Sequence, residues 1–182
     1  MAARPQDEQV IARTRRWLEK AVIGLNLCPF AGAAYLRDRV RFVVSRARHI
    51  DDLLEQLDRE LKLLADTPAE QIETTLIVEP ELFSDFLDFN DFMALAEEAP
   101  AELGLEGVIQ LASFHPQYQF EGTEADDVSN CTNRSPYPTL HLLREDSVEK
   151  AVSTLEDPDV IFEENIRTLQ QLGHKGWREL GL

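Results

Sequence analysis

Cys28, His115, Arg134 and His141 are the side chains of this chain best suited to chemistry. Cys28 stands directly before Pro29 in "NLCPFA", where a short helix can begin with proline as its first residue. Peptide dipoles at a helix start favour a thiolate, nearby arginines add to this, and a thiol of lowered pKa is a nucleophile. The competing role is a small buried residue at a chain reversal. Cys131, between Asn130 and Thr132, is placed to resolve a sulfenic acid on Cys28 only if the two meet, which nothing in the sequence requires.

The two histidines flank a stretch with almost no periodic pattern. Phe114 closes one apolar run and Thr139 opens the next, leaving residues 115–138 between them. So long a segment in a small domain is functional or disordered as a rule. Tyr118, Phe120, Val128 and Tyr137 give it apolar anchors, and Pro116, Pro136 and Pro138 stiffen it, so we expect an ordered, site-forming loop. Within it, "NRSPYP" gathers Asn133, Arg134, Ser135 and Tyr137 on a backbone held extended by two X-Pro steps. Clustered donors on stiff backbone suit a carboxylate or phosphate pocket, and equally suit a rigid turn whose arginine pairs with a nearby acid.

Strand parity bears on the histidines. Ile109, Leu111, Ser113 and His115 share one side of one apolar run, and Thr139, His141 and Leu143 share one side of the next. If these runs pair as antiparallel neighbours, His115 and His141 are expected on one face at one end of the sheet, where opposed side chains sit about 5 Å apart. Two chemistries follow. One histidine serves as general base, or both join a loop carboxylate (Glu121, Glu124, Asp126 or Asp127) in a two-histidine, one-acid metal site. The spacing matches no standard zinc signature, and each histidine alone is as well explained by a hydrogen bond to backbone.

The elements that must position these groups alternate. Apolar spacing predicts a helix over 7–25, a short one from Pro29, a strand at 40–45, a helix over 50–65 and a buried strand at 74–80. A helix capped by Ser84 or Asp85 follows to about Ala99, then a strand at 108–114. Beyond the loop, "TLHLLR" reads as the fourth strand, and "DSVE" as a capping box opening a helix to Leu155, with Asp146 accepting and Glu149 reaching back. Pro158 interrupts, and a last helix runs from about Phe162 to Leu172 with Gly173 as its C-cap. The pattern gives an α/β (α+β) chain with one domain: a mixed four-stranded sheet, its last two strands antiparallel, with helices packed on it and the first helix closing one face. No internal repeat is visible.

Composition bounds the function. The formal charge is −16, which disfavours nucleic acid as a partner. It is unevenly spread: residues 1–48 hold ten Lys/Arg against four acids, and the rest eight against thirty. The basic segment either packs beside the acidic body or lends arginines to an anion site. No apolar run reaches the roughly 20 residues of a membrane span. Two cysteines and no apolar leader at the N-terminus point to the cytoplasm.

"NLCPFA", "FHPQYQF" and "NRSPYPTLHLLRE", followed by a helix and "NIRTLQQLG", resemble the bacterial proteins grouped as domain of unknown function 1415, over about Trp17 to Gly173. Cys28, His115, Asn133, Arg134, Ser135, Tyr137 and His141 lie inside these phrases, and Cys131 lies outside them. The resemblance implies a small cytosolic bacterial protein; it supplies no catalytic roles and no cofactor.

Three functions follow from the residues. The first is an enzyme acting on an anionic small molecule, with Cys28 as nucleophile or redox centre, a histidine as base and Arg134 as anion clamp. The second is a metal-dependent enzyme or metal-binding protein using His115, His141 and a loop acid. The third is a non-catalytic interaction module built on the loop and the helix "FSDFLDFNDFMALAEEA", where Phe89 and Phe92 leave aromatic surface beside the buried stripe.

Overall fold

A computed structural model describes residues 6–153 and 159–182. The first helix, α1 (Asp7–Trp17), opens with Asp7 and Glu8 and closes with Arg15 and Arg16, as its dipole favours. It then widens into a π-helical segment, Leu18–Ile23, in which the Gly24 amide reaches Glu19 O at 2.9 Å and the Leu27 amide reaches Val22 O at 2.9 Å. A Cβ on Gly24 would lie 2.4 Å from Lys20 O, so this wide turn requires glycine. Asn26, at φ 53°, reverses the chain and delivers Cys28 to the start of α2 (Ala31–Leu36). The single helix expected to Leu25 is therefore two helical forms in series.

Strands β1 (Val40–Val44), β2 (Thr74–Val78), β3 (Ile109–Phe114) and β4 (Thr139–Arg144) make one mixed sheet in the order β1-β2-β4-β3. β1 and β2 are parallel; β4 runs antiparallel between β2 and β3. The expected mixed sheet and the antiparallel last pair are both present. The register puts Phe42, Leu76, His141 and Ala112 side by side across the sheet. Alternation then sends Ile77, Leu140, Leu142, Ile109 and Leu111 to the opposite face.

That opposite face carries the main core. α3 (Ile50–Asp66) lays Leu53, Leu57, Leu61 and Leu64 on it, and α4 (Phe86–Ala96) adds Phe89 and Phe92. Each such side chain contributes about 1.5–3 kcal/mol by burial. Asp85 caps α4 by accepting from Leu87 N at 2.7 Å. Both phenylalanines are interior, so the aromatic surface expected at Phe89 and Phe92 is absent; Leu87 and Leu95 are the helix's large exposed apolar residues. A short helix, α5 (Ala99–Glu102), leads to β3.

The other face is covered by α1, the π-helical segment, α2, α6 (Glu145–Val152) and α7 (Asp159–Glu179). Trp17 and Leu18 pack toward Phe42 and Phe114, so the first helix does close this face. α6 begins at Glu145 with no side-chain cap, one residue ahead of the expected box, because the chain turns directly out of β4 at Arg144. Its expected end at Leu155, and Pro158, lie outside the described residues. Gly173 (φ 67°, ψ 173°) breaks α7 as its position predicts, but the helix resumes beyond it. Among the described residues no helix is long and apolar enough to cross a membrane.

Candidate functional site

The face under α1 and α2 is not filled. An apolar chamber of about 50 Å³ lies over the sheet, beside a wider cleft of about 310 Å³. Val22, Cys28, Phe30, Phe114 and His141 border both. Thr74 and Trp17 complete the chamber, while Gln110, Thr132, Asn133 and Asn165 give the cleft its polar edge. None of the described side chains lining either space is charged.

His141 sits in the middle of β4, half-buried against this space. The Thr74 hydroxyl donates to the Leu142 carbonyl at 2.6 Å, so its one proton is committed. Its oxygen must then accept from His141 Nε2–H, 2.7 Å away. This fixes the tautomer: Nδ1 is bare, with no hydrogen-bond partner among the described residues. Burial alone pushes the imidazole down to about 4, so His141 is neutral at physiological pH and its free lone pair is a proton acceptor.

Cys28 meets part of its expectation. The Phe30 and Ala31 amides point at its sulfur, as the start of a helix should provide. Desolvation outweighs them, and the thiol pKa is raised rather than lowered. The thiolate expected from the helix start is therefore not the resting form. Cys131 is a second free cysteine, packed with Leu27 and Leu169 and only 2% exposed, its thiol also pushed up by burial.

His115 is elsewhere. The register aligns Ala112 and not Ser113 with His141, so the parity that carries His115 directs it to the opposite face, into the main core. There it touches the rings of Phe86 (5.5 Å) and Phe89 (5.3 Å). Its Nδ1 accepts from Gln117 N at 3.0 Å, so Nε2–H donates to Phe83 O at 3.1 Å. Both nitrogens are satisfied and the residue is 1% exposed. Desolvation lowers its pKa despite the Phe83 carbonyl and Asp85. Pairing His115 with His141, as base or as metal ligands, is excluded by a sheet standing between them. Among the described residues no group of three His, Cys, Asp or Glu side chains is placed to hold a metal ion.

The 115–138 loop is ordered by its own side chains. Asn130 accepts from Phe120 N and Thr123 Oγ1 and donates to Glu124 O. A 3₁₀ turn, Val128–Asn133, packs against α7. Arg134 donates from Nε to Tyr118 O (3.1 Å) and from Nη2 to Ala125 O (2.6 Å). It braces the loop and does not line the Cys28–His141 space. Ser135 donates to Tyr137 O, and Tyr137 carries Arg13 on its ring and hydroxyl. Of the four "NRSPYP" donors, only Asn133 reaches the cleft, anchored through Nδ2 to Ser113 O.

The structure thus gathers Cys28, His141 and Asn133, and separates His115, Arg134, Ser135 and Tyr137 from them. Thr74, which sets the tautomer of His141, was missed by sequence reasoning. The signal was the pairing of β2 with β4, which a sequence without a visible hairpin does not declare. No curated protein and no solved structure matches the chain. The family model described as "Protein of unknown function (DUF1415)" matches residues 9–179, and the chain belongs to that family.

Proposed function

We propose that the protein is a small enzyme whose centre is the cavity between Cys28 and His141, acting on an uncharged, electrophilic part of a small molecule. The observation that carries this is that a neutral His141, its Nδ1 without a hydrogen-bond partner among the described residues, lines the same spaces as the half-buried Cys28. The thiol keeps its proton at rest, so attack is base-assisted: as sulfur bonds to an electrophilic carbonyl carbon its proton passes to Nδ1, the C=O π pair moves onto oxygen, and the proton then passes from Nδ1 to that oxygen, leaving a neutral adduct. The apolar walls exclude water, and the side chains of Asn133 and Gln110 offer hydrogen bonds at the cleft's edge. An anion clamp by Arg134 has no place in this cavity. Two free cysteines fit a reducing cytoplasm.

A second reading is a binding pocket for an apolar ligand without chemistry, favoured by the raised Cys28 pKa. One experiment separates them. Iodoacetamide labelling of the native protein, followed residue by residue by mass spectrometry, should modify Cys28 well ahead of Cys131. A positioned base gives about a hundredfold or more, so His141→Asn should slow labelling of Cys28 at pH 7 by at least tenfold. Equal rates in the two proteins at pH 7 sink the enzyme reading and leave the pocket.

A further inference from the structure

Trp17 has a second side. Beyond it lies a separate polar recess of about 300 Å³, bounded by Arg13, Arg134, Ser135, Trp177, Pro116 and Pro136, with Leu182 at its edge. Two arginines, Arg13 and Arg134, line this one space. Each is held in place without a carboxylate. Arg134 is pinned by its two loop carbonyls, and Arg13 lies over the Tyr137 ring at 5.2 Å, with Nη1 3.4 Å from the Tyr137 hydroxyl.

Among the described residues four other arginines find acids, while Arg144 too is held by carbonyls alone. Arg41 grips Glu60 with two bonds, Arg46 pairs with Asp7 and Glu81, and Arg39 and Arg59 pair with Glu73 and Glu55. In a chain with 34 acids against 18 Lys/Arg, ion pairs are easily had. Yet among the described residues neither Arg13 nor Arg134 makes one, and no lining side chain of the recess is acidic. A guanidinium carries five N–H donors in a fixed fork; Arg134 commits two and Arg13 one. Like charges held at one cavity repel until an anion lies between them. Their fixation also lowers the entropy that a ligand would otherwise have to remove.

We infer that the Arg13–Arg134 recess is a binding site for a compact oxyanion, a carboxylate or a phosphate. The site is independent of the thiol–imidazole reading, which concerns the other side of Trp17, and each can fail without the other. Ser135 serves its wall rather than its ligand, since its hydroxyl already donates to Tyr137 O.

The chain's two tryptophans, Trp17 and Trp177, both line this recess, so intrinsic fluorescence reports its occupancy. The full chain is titrated with inorganic phosphate and, separately, with acetate, at ionic strength held constant with sodium chloride. The expected result is a saturable change in emission with at least one of the two, the tighter probe showing which oxyanion the recess prefers. Arg13 is exposed, so Arg13→Gln leaves the fold intact; removing one charge-assisted fork should weaken binding about tenfold. Arg13→Glu, which places a carboxylate there, should abolish it. The inference is overturned if neither anion gives a saturable change in the wild type, or if the wild-type and Arg13→Gln curves superimpose.

Discussion

The two faces of the sheet are built from the same four strands and have opposite character. Under α3 and α4, leucines and phenylalanines meet Ile77, Leu140 and Leu142 in one continuous core, and even the histidine there has both nitrogens tied to backbone. Under α1, α2, α6 and α7, small cores are separated by a chamber and a cleft, and the histidine there keeps one nitrogen bare. A close-packed interior leaves no room for a ligand. The difference gives one face the continuous core and the other the open spaces in which the proposed chemistry would lie, although each strand supplies both through its alternation.

The largest effect should come from testing that division by truncation. Leu57→Ala on the packed face should cost about 4 kcal/mol, toward the upper end for a leucine that leaves an unfilled hole. Leu76→Ala borders the existing chamber and should cost about 2 kcal/mol, since fewer packed neighbours are lost there. Urea unfolding of the two variants checks this. Equal losses would mean that the chamber walls are packed as tightly as the core.

The histidines give the next contrast. Both have folded pKa values below 6.5, so each is neutral in the fold and ready to charge when unfolded. The unfolded chain then binds more protons, and stability falls as pH drops from about 6.5 toward the folded values. For His141, at about 4, the loss is roughly 2 kcal/mol once its partial exposure is allowed for. His141→Gln should flatten unfolding free energy between pH 6.5 and 4.5 by about that amount while changing little at pH 7.5. His115→Gln breaks two backbone bonds, so it should lower stability at every pH by about 1–3 kcal/mol. Reversed behaviour, with the steeper pH dependence on His115, would mean that the roles of the two faces have been exchanged.

Much of this architecture is legible in the sequence. Periodicity locates all four strands and the long α3 stripe, and narrows the cap of α4 to Ser84 or Asp85, because each depends on local spacing. The order of the strands did not follow from it. β4 lies between β2 and β3, and only the pairing of Leu76, His141 and Ala112 shows which face His141 takes. Parity counted within β3 grouped His115 correctly with Ser113 and Leu111. A shift of one position in its alignment with β4 then moves it through the sheet, and no residue in the sequence records that alignment. The sign of the Cys28 shift was equally hidden. The helix start is local and visible, whereas the desolvation that overrides it comes from Phe30, Trp17 and their neighbours closing over the cavity. Arg134 reads as part of the thiol's site because it is the loop's one cation, but the carbonyls that hold it away from that cavity lie 9 and 16 residues away in the chain.

Glu79 breaks the rule of the packed face and so sharpens it. It follows β2 on the same side as Ile77 and is completely buried. Its Oε1 accepts from Glu81 N (2.8 Å) and Leu82 N (3.1 Å), while Oε2 has no hydrogen-bond partner. Desolvation raises its pKa, against the pull of the Ser45 hydroxyl and those two amides. A carboxyl held above its unfolded value favours the protonated fold. The folded chain then binds more protons than the unfolded one, and stability falls as pH rises from about 4.5 through the folded pKa, opposite in sign to the histidines. Glu79→Gln keeps the Oε1 acceptor and removes the buried charge. It should therefore stabilise the protein at pH 7.5 by about 1–3 kcal/mol, with the gain vanishing below pH 4 where the wild-type carboxyl is already protonated. Thermal unfolding at the two pH values measures this. A gain of the same size at both would show that shape, and not charge, sets the cost of Glu79; no gain at either would show that Oε2 is satisfied.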